Sequence, residues 1–132
     1  MSRSNVEIVR AAFDAFARGD LDGVLAMMDP DVLWAPALAR VLGAGEVRGT
    51  EALRRFFTET LSAGYADFEA KAAALEDHGD FVLVESHYSA RGRASGVPVS
   101  LKTYSVILMR DEKCVSYRDY DTREEALAAI QP

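Results

Sequence analysis

The hydrophobic period of the chain changes once. Up to Gly64 apolar positions recur mostly every three or four residues, and from Tyr65 onward they alternate with polar ones. The pattern therefore predicts helices first and a sheet afterwards. Ser4-Asn5-Val6-Glu7 has the spacing of a capping box, Val6, Val9, Phe13 and Phe16 follow on one helical face, and Gly19 stands where a stop belongs. Asp20 can cap a second short helix carrying Leu21, Val24, Leu25 and Met28, which Asp29-Pro30 ends. Residues 31–35 (DVLWA) read as a short strand, and 36–49 as a loop. Thr50 is suited to cap a third helix in which Leu53, Phe56, Phe57, Thr60 and Leu61 are periodic and Gly64 closes the run.

Strands are expected over about 66–76, 80–91, 98–110 and 113–120, joined by HGD, the GRASGVP loop and a tight Asp111-Glu112 turn. Thr122-Arg123-Glu124-Glu125 is a second capping box and opens a helix through Ile130. Strands joined by short turns are antiparallel, and helices gathered early in the chain must cover one face of their sheet. The expected architecture is an α+β fold in which a curved, mostly antiparallel sheet packs against N-terminal helices and encloses a pocket. Residues 1–132 are expected to form one domain, since halves of a 132-residue chain would bury too little surface to be stable.

Composition narrows the partners. Hydrophobic residues make up 49% and charged residues 27%, as in ordinary globular proteins. The net charge of −6 and the scattered lysines and arginines argue against a nucleic-acid partner. No window approaches the apolar length of a membrane span, and MSRSNVEIVR becomes charged before any apolar run develops, so a cytoplasmic address without membrane attachment is the expectation. Cys114 is the single cysteine and His78 and His87 the two histidines, which leaves no ligand set for a metal. GAGEVRG (43–49) misses the dinucleotide spacing and lacks a surrounding βαβ unit, so no cofactor is expected.

The stretches ARGDLDGVLAMMDPDVLW, VRGTEALRRFF, HGDFVLVESHYSARGRASGVP and VILMRDEKCVSYRDYDTREEALAAI occur in that order over nearly the whole chain. Together they resemble the nuclear transport factor 2-like superfamily, in its SnoaL-like and ketosteroid-isomerase-like branches. The resemblance implies a conical α+β barrel with a deep apolar pocket, and often a dimer through the outer face of the sheet. Because that superfamily holds isomerases, epoxide hydrolases, cyclases, dehydratases and proteins that only bind, side chains must decide the function.

Alternation places Val115, Tyr117 and Asp119 on one face of the last strand and Cys114, Ser116, Arg118 and Tyr120 on the other. Similarity to the limonene-epoxide-hydrolase branch, whose matching strand also reads Arg-Asp-Tyr, turns Asp119 into the cavity. Val82, Val84, Ser86 and Tyr88, and Leu101, Thr103, Ser105 and Ile107, would then face it from neighbouring strands, with Trp34 in the wall. A carboxylate among such neighbours is desolvated and suited to move a proton near neutral pH. Asp119 is the expected acid or base, and Tyr88 and Tyr117 the expected hydrogen-bond partners of a ligand oxygen. Trp34, Val84, Ser86, Leu101, Thr103, Ser105 and Ile107 are the expected ligand contacts.

The enzymatic patterns of the resembled branches are incomplete here. The second Asp and the Arg of the epoxide hydrolases are missing beside Ser86 and Tyr88, and no His stands at Ser105. The two-carboxylate set of ketosteroid isomerase is not evident either. His87 faces outward with Glu85 unless a bulge reverses the strand. Two readings stay open: cofactor-free proton-transfer chemistry on a small, mostly apolar metabolite, or a ligand-binding or dimeric scaffold protein without chemistry.

Overall fold

A computed structural model describes residues 4–37 and 45–131. Helix α1 (Asn5–Ala17) starts on Ser4, whose hydroxyl accepts from the Glu7 amide at 3.2 Å. It ends at Gly19, where φ of +75° lets the chain turn left-handed and the Asp20 amide bond back to Ala15 O at 2.9 Å. Helix α2 (Leu21–Ala26) is capped by Asp20 through the Gly23 amide. It stops before Met28, which the sequence pattern assigns to it. Strand β1 (Met28–Ala35) instead starts there and runs straight through Asp29-Pro30. Proline is tolerated because a register shift between Met28 and Leu33 interrupts pairing over that stretch.

The expected loop at 36–49 holds a short strand, β2 (Val47–Arg48), which pairs antiparallel with β1. The rest of that loop call, 38–44, lies outside the described residues. Gly49, with φ of +90°, precedes helix α3, so Thr50 is its first residue rather than its cap. Helix α3 runs from Thr50–Arg55 through a π-helical stretch, Phe56–Leu61, to a last turn at Ser62–Gly64. The wider π turn changes which residues face inward: Phe56 and Leu61 are buried, while Thr60, periodic by the α-helical count, is exposed.

Strands β3 (Tyr65–His78), β4 (Phe81–Gly92), β5 (Pro98–Arg110) and β6 (Lys113–Tyr120) form the antiparallel body, as the alternation predicts. The turn between β5 and β6 places both Asp111 and Glu112 at positive φ, the geometry that suits a two-residue hairpin. The sheet order is β2-β1-β6-β5-β4-β3, and β1 runs parallel to β6, so the sheet is mixed. The end strands β2 and β3 do not meet, and the sheet stays unclosed. Bulges in β1, β3 and β6 bend it.

Two apolar clusters hold these layers together. The larger joins α1, α2 and α3 to the concave face through Val9, Leu25, Leu53, Phe56, Val82, Val84 and Ile107. The smaller lies on the opposite face, where helix α4 (Arg123–Ile130) buries Ala126 against Leu83 and Val106. Helices therefore cover part of both faces, and not one alone.

Candidate functional site

The inward residues come together because β4, β5 and β6 keep strict alternation where they meet. Cα pairing sets Ser86 opposite Thr103, Val84 opposite Ser105, Tyr88 opposite Leu101, Ser105 opposite Asp119 and Ile107 opposite Tyr117. All of these except Leu101, which is half-buried, are buried. His87 stays on the outer face, half-exposed, with Nε2 2.9 Å from Glu85 Oε2.

On the N-terminal side of Ser116 the alternation fails. Ser116 pairs with Leu108 but Cys114 pairs with Met109, which leaves Val115 as an extra residue in β6. That bulge turns Cys114 inward and corrects its expected outward placement, along with the inward placement of Val115. Cys114 lines the cavity beside Met27, Met28 and Met109. Burial pushes its thiol up to about 12, so it is an apolar wall group and not a nucleophile.

Between sheet and helices lies an apolar cavity of about 80 Å³. Trp34, Tyr88, Ile107 and Tyr117 line it, and Val9, Phe13 and Phe16 of α1 close it from the other side. Trp34 packs against Phe56 and Phe57 with ring centroids at 5.0 Å each, and against Tyr117 at 5.8 Å. Phe68, from β3, stacks on Tyr88 at 6.0 Å. Its place in an alternating strand was visible, but a bulge at Asp67 hides its register in the sequence. Val84, Ser86, Leu101, Thr103 and Ser105 are not in the cavity wall. Nor is Asp119, which borders a polar recess with Glu46, Arg118, Asp121 and Glu125.

Asp119 nonetheless reaches the cavity through hydroxyl groups. Tyr88 donates to its Oδ2 at 3.2 Å, Ser105 to its Oδ1 at 2.5 Å, and the Ala37 amide to Oδ2 at 3.0 Å. The Tyr88 and Tyr117 hydroxyls bond each other, Ser105 Oγ lies 3.0 Å from Tyr117 OH, and Ser86 Oγ lies 2.7 Å from Ser105 Oγ. Among the described residues that line the cavity, Tyr88 and Tyr117 alone carry a side-chain hydroxyl, and none is charged. Thr103 is fully buried, and its hydroxyl has no hydrogen-bond partner among the described residues.

Burial drives the electrostatics. It pushes the Asp119 carboxyl above its ordinary range, and the hydrogen bonds from Ser105 and the Ala37 amide only partly oppose it. Tyr88 and Tyr117 are raised as well, by burial first and then by the Asp119 charge, so both remain neutral phenols. The arrangement can hold an oxygen atom of a ligand at the tyrosines and pass a proton to or from the carboxyl behind them. No group of three metal-ligating side chains exists among the described residues.

Residues 9–117 match the family of the SnoaL-like domain. No curated protein matches the chain. Among solved structures, a nuclear transport factor 2-like protein from Burkholderia thailandensis superposes with a TM-score of 0.82 at 24% identity, over 99% of this chain and 100% of the other. A nuclear transport factor 2-like protein of unknown function from Burkholderia pseudomallei gives 0.80 at 23%, over 99% and 100%. TerC, co-crystallised with polyporic acid, gives 0.77 at 22%, over 97% and 98%. These likenesses establish the cone-shaped fold.

Proposed function

The chain belongs to the SnoaL-like family, and from that premise we propose that it binds a small, mostly apolar metabolite in the cavity and moves a proton on it without a cofactor. Tyr88 and Tyr117 contact the ligand's oxygen, and Asp119 acts as the acid or base behind them. The single observation that carries this reading is the unbroken hydrogen-bonded path from the cavity wall to a buried carboxyl with a raised pKa. Isomerisation, cyclisation, dehydration and hydrolytic ring opening are the reaction types such a site suits. That TerC, which shares this fold, was co-crystallised with polyporic acid supports the binding of a small molecule.

The empty cavity is about 80 Å³, while about 150 Å³ is known to accept benzene. A ligand with a ring must therefore displace wall side chains, and Phe56 and Phe57 on the π-helical stretch are placed to yield. A thermal-shift screen of small aromatic and terpenoid compounds on wild type and Asp119→Asn tests the reading. A ligand at about 100 times its dissociation constant adds about 2.7 kcal/mol of stability. Hits whose turnover is lost in Asp119→Asn support the enzyme; turnover that survives the substitution refutes the role of Asp119.

A second reading has its own observation. Asp119 already accepts three hydrogen bonds and lies outside the cavity wall, which suits a binding protein whose carboxyl only orders the tyrosines. Hits that bind equally to both proteins and are never converted would favour it.

A further inference from the structure

Counting protons in the buried network says more about the ligand. Five oxygen–oxygen contacts join Ser86, Ser105, Tyr88, Tyr117 and Asp119: Ser86–Ser105, Ser105–Tyr117, Ser105–Asp119, Tyr88–Tyr117 and Tyr88–Asp119. Four of them close a ring through Ser105, Tyr117, Tyr88 and Asp119. Each hydroxyl brings one proton, which makes four protons for five contacts when Asp119 is ionised. When Asp119 is neutral it brings the fifth, and every contact is filled with the ring donating in one direction.

Neither state leaves a hydroxyl proton over for a ligand. What the two tyrosines have left is lone pairs: with Asp119 neutral each phenol oxygen accepts one bond in the ring, with Asp119 ionised at least one of them accepts none, and in either state each can accept another. A ligand that only accepts, such as a ketone or an ether, has to break a buried hydrogen bond to be recognised. A ligand that donates adds a bond and breaks none. Among the described residues the wall offers an acceptor-only ligand no cation, because none of those that line it is charged.

We infer that the cavity selects ligands that present a hydroxyl donor, a phenol or an enol on an apolar body, to the paired oxygens of Tyr88 and Tyr117. This rests on the pocket reading proposed above. It adds the direction of the hydrogen bond, from ligand to protein. Ser105 is then a positioning residue: its single proton, shared between Asp119 and Tyr117, decides which way the ring runs. Among the described residues, the titratable and charged groups around Asp119 are Tyr88 on β4, Tyr117 on β6, and Glu46, Arg118, Tyr120, Asp121 and Glu125 around the recess.

Isothermal titration of the full chain with p-cresol, 4-methylanisole and toluene separates the outcomes. These share one ring and differ in having a donor, an acceptor only, or neither. The expected result is p-cresol binding at least tenfold tighter than 4-methylanisole, with 4-methylanisole no tighter than toluene. In Tyr117→Phe the preference for p-cresol should fall to threefold or less. In Ser105→Ala the dependence of that preference on pH should change, which loss of packing alone would not produce. Equal or tighter binding of 4-methylanisole would overturn the inference and leave the pocket standing. Failure of all three to bind would overturn the pocket reading, and the inference with it.

Discussion

Asp119 is the residue on which the account turns, and its burial gives a pH dependence with a definite sign. Its folded pKa lies above the unfolded value, so the folded state keeps a proton that the unfolded chain releases. The resulting stability is full below the ordinary carboxylate range and is lost as pH rises from there through the raised folded pKa. Thermal unfolding against pH should show wild type losing stability over that window relative to Asp119→Asn, which carries no charge to bury. Parallel curves would mean that Asp119 is not desolvated. Ser105→Ala removes the hydroxyl shared by Ser86, Tyr117 and Asp119 and should cost about 1–3 kcal/mol in urea unfolding. At this scale the sequence was informative: alternation brought Asp119, Tyr88, Tyr117, Ser86, Thr103 and Ser105 onto one face. It could not show that the tyrosines stand between Asp119 and the cavity, because that depends on side-chain reach rather than on period.

Elements were legible where local chemistry set them and illegible where partners did. The caps at Ser4, Asp20 and Thr122 and the stop at Gly19 formed as read, each satisfying backbone groups within a few residues. The bulge at Val115, the π-helical stretch of α3 and the strand β2 depend on neighbouring strands and helices, and no short-range pattern marks them. Gly49 is a case where local and tertiary demands coincide: its φ is +90°, and a Cβ there would sit 3.5 Å from Pro30 O. Gly49→Ala should destabilise by about 1–3 kcal/mol, from backbone strain rather than a clash. Phe56→Ala, on the π-helical stretch, should cost about 3–5 kcal/mol and enlarge the cavity. If it costs that much yet admits larger rings, the π-helical wall is the adjustable side of the pocket; denaturant unfolding reads the cost, and titration with 2-naphthol beside p-cresol reads the ring size admitted.

For the molecule as a whole, the α+β order and the concave pocket were legible in the sequence because helices precede strands and the strand turns are short. The mixed sheet escaped it, since the parallel pairing of β1 with β6 joins segments far apart in the chain. So did the cover on the outer face. Helix α4 seals Leu83 and Val106 there, and Ala126 is fully buried beneath it. Ala126→Asp would place an unpaired charge in that seal and should destabilise by about 3–5 kcal/mol without altering the order of affinities in the p-cresol series. A change in that order would mean that the two faces are coupled. Beyond α4, Val97 and Val99 are large apolar residues left exposed among the described ones, on and before β5. Among the described residues no helix is long and apolar enough to cross a membrane.

The central claim is that a buried carboxyl is wired to a ligand cavity through two tyrosine hydroxyls. Its most direct test follows the Asp119 ¹³Cγ resonance through a pH titration, with and without p-cresol. The account predicts a midpoint above the ordinary carboxylate range in the free protein and a different midpoint with the ligand bound. An ordinary midpoint, or one that the bound ligand leaves unmoved, would contradict it.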